Sequence, residues 1–564
     1  MYVFAGFLLA SLLGFEATSA SKIIAVKDTP LLGPSFLTNF DLSNSSAVNK
    51  AKKDLPCQIE RLFSNGELNR TDVAFHIDVF SAATNKSIYS YSHVGEFSEK
   101  ALTAGVFDDQ TISRIGSVSK LFTAYAIIAK AGIEVLAQPV VKYLPELAGN
   151  TSVNPLERID WENISVGTVL AQQAGTGGPQ EFIVKYSNEK HPFSYSSDDL
   201  FKYMRDEKRP VISPYWAPVY SDIGYALMGQ VLARLANKTT YSEAIPDVLF
   251  KPLGLQNSST AAPKPQDGLN ALNRSRVAPT SLWAVDFEIV ASSGGIYANA
   301  ADLRRTGLSI LNSELLSPAE ISEWMKPRGG TGSLVELVGA PWEIERLEIP
   351  ASPGSNRTRI SDLYTKAGGN GDFSALLALS PDHGIGFSIL IGGTTSDQAR
   401  WVLREAIGET FIPAAELAAW ENAKKHLAGT FVHKKSSNTN VTFSVDQGLA
   451  GLGLKAFWVE GKDMKKRDHR RLYPTGLNSV SRSLASRYQT AGQICVAHRV
   501  TEMLPPVKPR AAVEGGDGGL FDNSFVWQIL DFENNGDEFE LCLTDGKLTS
   551  VVWPLEGLVL EPVK

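Results

Sequence analysis

The spacing of apolar residues changes along this chain, and it limits which elements each region can form. Apolar and polar residues alternate over 72–80, as they do in a half-buried strand. Apolar residues three and four apart then form stripes over 118–128 and 225–235, which is typical of helices that pack by one face. Strand patterns return at 373–379 and 385–391, separated by a short turn sequence with Pro and Gly. Together these patterns predict a mixed α/β fold in which helices pack against antiparallel strands.

The pattern of apolar and polar residues changes again after an alanine-rich stretch at 414–428. A helix is predicted just before this stretch, over 397–411, and short alternating segments such as 441–445, 525–530 and 539–543 follow it. Polar turns separate these segments, as they do in small antiparallel sheets. The predicted boundaries are a signal peptide (1–20), an extended lead-in (21–70), a larger mixed domain (71–420) and a C-terminal antiparallel β domain (421–564).

Length and composition exclude several classes of protein. With 564 residues the chain can hold three to four domains, or one large domain with an appended module. Hydrophobic residues make up 43% and charged residues 20%, as in globular proteins, which argues against wholesale disorder. The 54 Lys and Arg against 61 Asp and Glu leave a net charge of -7, so nothing attracts phosphate backbones or anionic lipid at long range. We expect no nucleic-acid partner.

The N-terminal segment has the pattern of a secretory signal. An apolar run over 2–15 is short for a membrane span, and small residues follow it up to Ala20, where cleavage is expected. The run lacks the usual preceding Lys or Arg, and a buried N-terminal helix is the alternative. No later segment reaches ~18 uninterrupted apolar residues. We therefore expect a secreted, extracellular protein without a membrane span.

The number of glycosylation sequons also indicates a secreted protein. The chain has ten of them, whereas about four are expected by chance. An excess of this kind is typical of a glycosylated secretory protein. The asparagines are Asn44, Asn69, Asn85, Asn150, Asn163, Asn237, Asn257, Asn273, Asn356 and Asn440.

The cysteine content excludes a disulfide-built scaffold and a cysteine zinc site. There are only three, Cys57, Cys495 and Cys542, and none of their spacings suits zinc. Cys495 and Cys542 lie in one C-terminal segment. An oxidising compartment would allow them to pair, and three separate thiols are the alternative.

Ser117 and Lys120 form an S-x-x-K pattern at the start of the first predicted helix. Residues three apart share a helix face, so a neutral lysine amine at this position could accept the serine proton. The N-terminus of a helix also favours an alkoxide and a nearby oxyanion. The pattern recurs at Ser19 and Ser187, so it needs further partners to indicate an acyl enzyme.

Two later segments supply such partners in the expected order. Tyr220 lies in 218–225, which enters the second predicted helix, and Lys366 lies in 364–369, which enters the predicted strand pair. With these residues the chain resembles the serine β-lactamase and penicillin-binding-protein superfamily, most of all its class C and esterase-like branch. It is similar to secreted fungal β-lactamase-like hydrolases that carry an extra C-terminal β domain. The resemblance implies a β-lactamase/transpeptidase-like fold, with an antiparallel sheet flanked by helices and a helical subdomain.

The resemblance also implies a role for each of these residues. Ser117 would be the nucleophile and Lys120 its base. Tyr220 would pass a proton to the leaving group, while Lys366 would lower the pKa of the tyrosine and face negative charge on the substrate. The backbone N–H groups of Ser117 and Gly369 would form the oxyanion hole.

A further set of residues is expected to bind substrate. The two glutamines match a family loop only loosely, and an exposed loop position is the alternative for both. For the tryptophan the alternative is core packing. The set is Asp222, Gly368, Gln172, Gln173 and Trp216.

Two positions depart from the family pattern. Asp222 stands where the family usually has Asn, and an ionised carboxylate cannot donate a hydrogen bond to a substrate carbonyl. Ala367 stands where the family usually has Thr, which removes a hydroxyl that helps to bind a substrate carboxylate. Both changes argue against carboxylate-bearing β-lactams and peptides and favour neutral esters, lactones or amides.

These observations predict a secreted serine hydrolase that works through an acyl-Ser117 intermediate without metal or organic cofactor. An acyltransferase with the same Ser-Lys-Tyr site is the first alternative, and a catalytically silent ligand-binding protein is the second. The expected partner is a small-molecule or short peptide-like acyl substrate. The natural substrate, the oligomeric state and the role of the C-terminal domain are left open.

Overall fold

The structure is a computed structural model, and it describes residues 32–149, 154–178, 182, 195–352, 355, 357–465, 470–479, 489–490, 492–502 and 536–563. The predicted signal peptide over 1–20 and the predicted strand over 525–530 lie outside the described residues. Within the described ranges, no helix combines the length and the apolar character needed to cross a bilayer.

The described helices alternate with strands in the first three quarters of the chain, and strands alone follow. The α-helices are α1 (Ser46–Ser64), α2 (Ser119–Ala131), α3 (Val166–Leu170), α4 (Ser197–Lys202), α5 (Asp222–Leu235), α6 (Tyr241–Ile245), α7 (Lys251–Leu253), α8 (Ala291–Gly294), α9 (Ala300–Leu311), α10 (Pro318–Trp324) and α11 (Ser396–His426). The strands before α11 are β1 (Ala74–Ser81), β2 (Lys86–Val94), β3 (Ser113–Arg114), β4 (Tyr297–Ala298), β5 (Gly329–Gly330), β6 (Glu336–Val338), β7 (Glu343–Pro350), β8 (Thr358–Asn370), β9 (Phe373–Ser380) and β10 (Ile385–Gly392). Those after it are β11 (Gly429–His433), β12 (Ser436–Ser444), β13 (Leu452–Val459), β14 (Lys462–Asp463), β15 (Arg470–Asn478), β16 (Ile494–Glu502), β17 (Glu538–Thr544), β18 (Lys547–Trp553) and β19 (Leu558–Pro562).

One antiparallel sheet organises the larger domain. Its strand order is β2-β1-β10-β9-β8-β7-β6-β5. Helices α1 and α11 pack together on one side of the sheet, and α9 packs against β1, β9 and β10 from the other. Helices α2, α5 and α8 pack on one another beyond it. This arrangement confirms the predicted antiparallel sheet flanked by helices.

Strand β1 is buried on both faces, so the half-buried strand predicted over 72–80 is wrong in that respect. The polar side chains of the alternation are buried too, and His76 and Asp78 are 4% and 0% exposed. Asp78 pairs with Arg304 of α9 and accepts a hydrogen bond from Ser87 Oγ at 2.5 Å. Asp78, a polar position of the alternating pattern, is therefore buried in an ion pair and does not face solvent. A charged side chain is stable inside a protein when it is paired.

The segment predicted as an extended lead-in over 21–70 contains helix α1, which corrects that prediction. Buried apolar residues recur at helical spacing along it: Ala47, Val48, Ala51, Leu55, Ile59 and Phe63. Ser45 caps its N-terminus by accepting a hydrogen bond from Val48 N at 3.2 Å. The apolar stripe packs on α11, far away in sequence, and this tertiary contact stabilises a helix that contains Pro56.

Helix α11 runs through the alanine-rich stretch and through the predicted domain boundary at 420. The sequence predicts a helix over 397–411 and a change to strands after 414–428, whereas the helix continues to His426. The alanines continue the helix because their small side chains pack closely, and Ala418, Ala419 and Ala423 are at most 3% exposed. Ala419 and Ala423 belong to the core of the C-terminal strands. The helix therefore joins the two domains by direct packing.

The C-terminal strands form an antiparallel barrel, which confirms the predicted C-terminal β domain. The nine-stranded sheet runs β12-β11-β19-β18-β17-β16-β15-β13-β14, and an additional pairing of β12 with β13 closes it. Aromatic residues fill its interior, with the Phe457 ring 5.2 Å from Phe539 and 4.9 Å from Trp553 between centroids. Cys495 and Cys542 stand opposite each other on β16 and β17 and form a disulfide, while Cys57 is free and exposed on α1.

The described sequon asparagines all lie at the surface to some degree. Five are exposed, namely Asn44, Asn69, Asn85, Asn163 and Asn237. Three more, Asn257, Asn273 and Asn440, are half-buried. Asn150 and Asn356 lie outside the described residues.

Candidate active site

Ser117 lies in a short 3-10 turn, Gly116–Val118, that leads into α2. The helix itself begins at Ser119, two residues later than predicted. The Ser119 hydroxyl fixes the turn, since it donates to Gly116 O at 2.7 Å and accepts from Ile296 N at 3.1 Å. Ser117 is half-buried and lines an open cavity of about 460 Å³.

Lys120 contacts Ser117 as the motif spacing predicts. Its Nζ lies 3.0 Å from Ser117 Oγ. Two further acceptors surround the same nitrogen, Asp222 Oδ1 at 2.6 Å and Ser293 O at 2.9 Å. An ammonium group has three N–H donors, and the three acceptors match them. The site therefore surrounds Lys120 with three oxygens that suit an ammonium group, a setting that the motif spacing did not predict.

Asp222 is the first residue of α5, where the helix dipole also favours a carboxylate. The Ser293 hydroxyl donates to its Oδ1 at 2.5 Å. Burial raises the pKa of Asp222, but the charge of Lys120 and the hydrogen bonds outweigh it, and the pKa lies below the ordinary value. Asp222 is thus ionised, and it faces Lys120.

Tyr220 lies between the two lysines of the cleft. Its ring centroid is 4.7 Å from Lys120 Nζ and 5.5 Å from Lys366 Nζ. Burial by itself raises the pKa of Tyr220, but the charges of Lys366 and Lys120 outweigh burial, and the pKa lies below its ordinary value. The side chain is 47% exposed at the cleft mouth. The phenol ring therefore lies beside both lysines.

The backbone of β8 passes directly beside the turn that carries Ser117. Strand β7 pairs with β8 only as far as Glu343 opposite Thr365, whereas β9 continues to Asn370. A Cβ on Gly368 would lie 2.6 Å from Ser117 N, and a Cβ on Gly116 would lie 2.5 Å from Gly369 N. Glycine is therefore required at both positions, and the backbone N atoms of Ser117 and Gly369 lie on segments in contact, as an oxyanion hole requires.

Lys366 has a partner that the sequence did not suggest. Its Nζ forms an ion pair with Glu343, the first residue of β7, and also donates to Ala367 O at 2.8 Å. The other carboxylate oxygen of Glu343 accepts from Ala367 N at 2.7 Å. Burial lowers the pKa of Lys366, but the carboxylate of Glu343 outweighs burial and raises the pKa above its ordinary value. The lysine is therefore charged, and the Glu343 carboxylate compensates its charge.

A second cavity of about 750 Å³ continues from the first on the other side of Tyr220. Trp216 and Trp401 line it and are 79% and 39% exposed, so core packing does not account for Trp216. Gln172 also lines it, with its side-chain oxygen accepting from Ser221 N at 2.7 Å. Gln173, in contrast, is 8% exposed and donates to Arg328 O at 3.0 Å, so it supports a neighbouring loop and does not line either cavity.

The described residues offer little for a metal ion. The single group of three metal-ligating side chains found among them is Cys495, Glu540 and Cys542. Both sulfurs of this group are used in the disulfide.

The alternative S-x-x-K serines, Ser19 and Ser187, lie outside the described residues.

Comparison with protein families assigns both domains. A family model described as "Beta-lactamase" matches residues 85–411. A second one, described as "Beta-lactamase-like-like, C-terminal domain", matches residues 419–563. The resemblance stated from the motifs is thereby confirmed.

Individual relatives are distant. A "Beta-lactamase-like protein" of Arthroderma benhamiae is 26% identical over 441 residues, which cover 73% of this chain and 69% of the relative. A "Probable hydrolase M10" of a Phoma species is 22% identical over 424 residues, 69% of this chain and 67% of the relative. Among solved structures, a class C beta lactamase from Rhodobacter sphaeroides superposes with a TM-score of 0.47 at 17% identity, covering 64% of this chain and 99% of the other.

Proposed function

This chain belongs to the beta-lactamase family of serine hydrolases, and we propose that it hydrolyses an ester, lactone or amide through an acyl-enzyme on Ser117. One observation carries the proposal: the Ser117 hydroxyl lies 3.0 Å from a buried lysine, beside the backbone of Gly369, and opens into a cleft. A nucleophile, a fixed positive charge and backbone N–H donors are the parts that acyl transfer needs.

The surroundings of Lys120 favour Tyr220 as the group that accepts the serine proton. Lys120 uses its three N–H donors on three acceptors, whereas the pKa of Tyr220 lies below its ordinary value because the charges of Lys366 and Lys120 outweigh the effect of burial. With Tyr220 ionised as the phenolate, Ser117 Oγ bonds to the acyl carbon while its proton passes to the Tyr220 oxygen. The same proton then goes to the leaving alcohol or amine as the acyl bond to it breaks.

Deacylation repeats the sequence with water in place of the serine. Tyr220 takes a proton from water and the hydroxyl attacks the acyl carbon. The bond from this carbon to Ser117 Oγ then breaks, the acid leaves, and the proton returns to Ser117 Oγ. The N–H groups of Ser117 and Gly369 stabilise the oxyanion in both halves. Lys120 holds the serine in place through the contact of its Nζ with Ser117 Oγ.

We also propose that the protein is secreted and glycosylated. Five described sequon asparagines are exposed, and Cys495 and Cys542 form a disulfide. Surface sequons and disulfides are both typical of proteins that pass through an oxidising secretory compartment. Mass spectrometry of the protein secreted by a eukaryotic host tests this, since glycan on none of the exposed sequons contradicts it.

The reaction is tested with a fluorophosphonate probe that labels active serines, followed by peptide mapping. We expect label on Ser117 in the wild type and none in Ser117→Ala, together with a loss of about 10⁴ to 10⁶ in p-nitrophenyl acetate turnover. Ser213→Ala is the matched control, because Ser213 is exposed and lies outside both cavities. Label on another serine, or full turnover in Ser117→Ala, would contradict the proposal.

Two further outcomes distinguish a hydrolase from an acyltransferase and from a silent ligand-binding protein. If an added alcohol changes the product from the free acid to a new ester, and the rate depends on that alcohol, the protein is an acyltransferase. A wild-type protein that binds acyl compounds but is neither labelled nor active is the silent ligand-binding form.

A further inference from the structure

Glu343 places a carboxylate of the protein itself on the wall of the cleft. One of its oxygens contacts the Lys366 ammonium, and the other accepts a hydrogen bond from Ala367 N at 2.7 Å. One charged donor and one backbone donor that converge on the two oxygens of a single carboxylate form a carboxylate-binding site. All three residues line the cavity that also holds Ser117.

This site is rigid and close to the reacting serine. Lys366 is 2% exposed and Ala367 is 6% exposed, so neither donor can turn away to solvent. Glu343 is held by the pairing of β7 with β8, in which Thr365 Oγ1 donates to its backbone oxygen at 2.9 Å. Its side chain is 26% exposed toward the cleft. A carboxylate on a substrate would have to displace it.

The other cations around the cleft are neutralised in the same manner. Lys120 pairs with Asp222 at 2.6 Å. On α11, Arg400 pairs with Asp397 at 2.5 Å, and Arg404 with Glu345 at 2.8 Å. Every Lys and Arg that lines the described cavities next to Ser117 therefore has a carboxylate partner.

We propose that Glu343 is a specificity-determining residue that fills the carboxylate site of the cleft, so that the enzyme selects acyl substrates without a carboxylate. This inference rests on the proposed function for its substrate, and it goes further in naming the group that excludes anionic substrates. Removing the Glu343 carboxylate opens Lys366 and Ala367 N to an external anion.

Two esters of similar size and leaving group test the selectivity, p-nitrophenyl pentanoate and mono-p-nitrophenyl succinate. We expect the wild type to prefer the neutral pentanoate. In Glu343→Ala and Glu343→Gln the ratio of kcat/KM for the succinate to that for the pentanoate should rise by about tenfold, the size of one charge-assisted hydrogen bond. Glu348→Gln is the matched control, because it removes the same charge from an exposed position on the same strand. An unchanged ratio in both Glu343 variants, or an equal rise in the control, overturns the proposal.

Binding of benzoate, measured by titration calorimetry on the full chain, separates this inference from the proposed function. We expect benzoate to bind Glu343→Ala and not the wild type or Glu348→Gln, whether or not any ester is hydrolysed. Glu343→Gln keeps the size of the side chain and serves if the alanine variant is poorly folded by circular dichroism. Folded variants that fail to bind benzoate overturn the inference. An inactive wild type with a benzoate-binding Glu343 variant overturns only the proposed function.

Discussion

The carboxylate of Asp222 lies 2.6 Å from the ammonium of Lys120, at the contact between the first turns of α5 and α2. The two residues are 102 positions apart, and their pairing decides which group can act as a base. Lys120 Nζ contacts a carboxylate, a carbonyl and the serine hydroxyl. In the mechanism that we propose, the proton chemistry of the site therefore depends on Tyr220, and the carboxylate tunes it.

Replacing Tyr220 by Phe tests that assignment. We expect kcat for p-nitrophenyl acetate to fall by about 10² to 10⁴ with little change in KM, because a proton relay is lost and the ring is kept. The matched control is Tyr215→Phe, whose hydroxyl donates to Asn163 O outside the cavities and whose loss should change kcat less than about twofold. Retention of wild-type kcat in Tyr220→Phe would make Lys120 the base.

Asp222→Asn should move the pH profile of ester hydrolysis. The Asp222 charge raises the pKa of Tyr220, in opposition to the two lysines. Removing it lowers that pKa further, so more phenolate is present at low pH. The acidic limb of kcat/KM should thus shift to lower pH. Glu405→Gln, which removes a charge from an exposed position of α11, should leave the limb in place. A shift to higher pH in Asp222→Asn would contradict the role given to Tyr220.

Trp216 should contribute to the binding of aromatic acyl groups, because it is exposed and lines the larger cavity. In Trp216→Ala we expect KM for p-nitrophenyl benzoate to rise by about tenfold, the upper range of one aromatic contact. KM for p-nitrophenyl acetate should stay close to that of the wild type. The control is Trp458→Ala, a 38% exposed tryptophan in the barrel. Equal effects on the two esters would place Trp216 outside the substrate site.

A buried ion-pair network should make folding sensitive to Glu416. This residue of α11 is 4% exposed, pairs with Arg359 of β8 at 2.7 Å and contacts His383 at 3.0 Å. Glu416→Gln removes one of the two carboxylates that pair with Arg359, which keeps Asp382 at 3.0 Å, so it should lower the free energy of unfolding by about 1 to 3 kcal/mol at pH 7. Chemical denaturation measures this. Glu409→Gln, at an exposed position on the same helix, should cost less than about 0.5 kcal/mol.

The same network predicts how stability depends on pH. Burial raises the pKa of Glu416, but Arg359 and His383 outweigh it and lower the pKa from 4.5 to about 2. Because folding lowers the pKa of Glu416, the ionised carboxylate stabilises the folded state in full above pH 4.5. This contribution is lost as the pH falls toward 2. The wild type should therefore lose more stability than Glu416→Gln between pH 5 and 2. Parallel losses in the two proteins would contradict the lowered pKa.

Local patterns in the sequence were sufficient for the motif residues and for most elements of the larger domain. Ser117 and Lys120 are three positions apart at the start of a helix, so a single turn brings them together. Strands β9 and β10 follow one another in sequence, and a turn of four residues, 381–384, joins them. Interactions of this short range are encoded in neighbouring residues, which is why the sequence alone determined them.

Only the tertiary structure decided which charges meet in the cleft and where the helices end. Glu343 reaches Lys366 through the register of β7 with β8, and Ser293 reaches Lys120 from 173 positions away. Helix α1 was missed because its apolar stripe becomes stable only against α11, more than 300 residues later. The apolar residues of α1 do recur at helical spacing, but no local pattern identifies the distant segment that buries them. The sequence therefore determined the nucleophile and the type of fold, and the packing of distant segments determined how the site is charged.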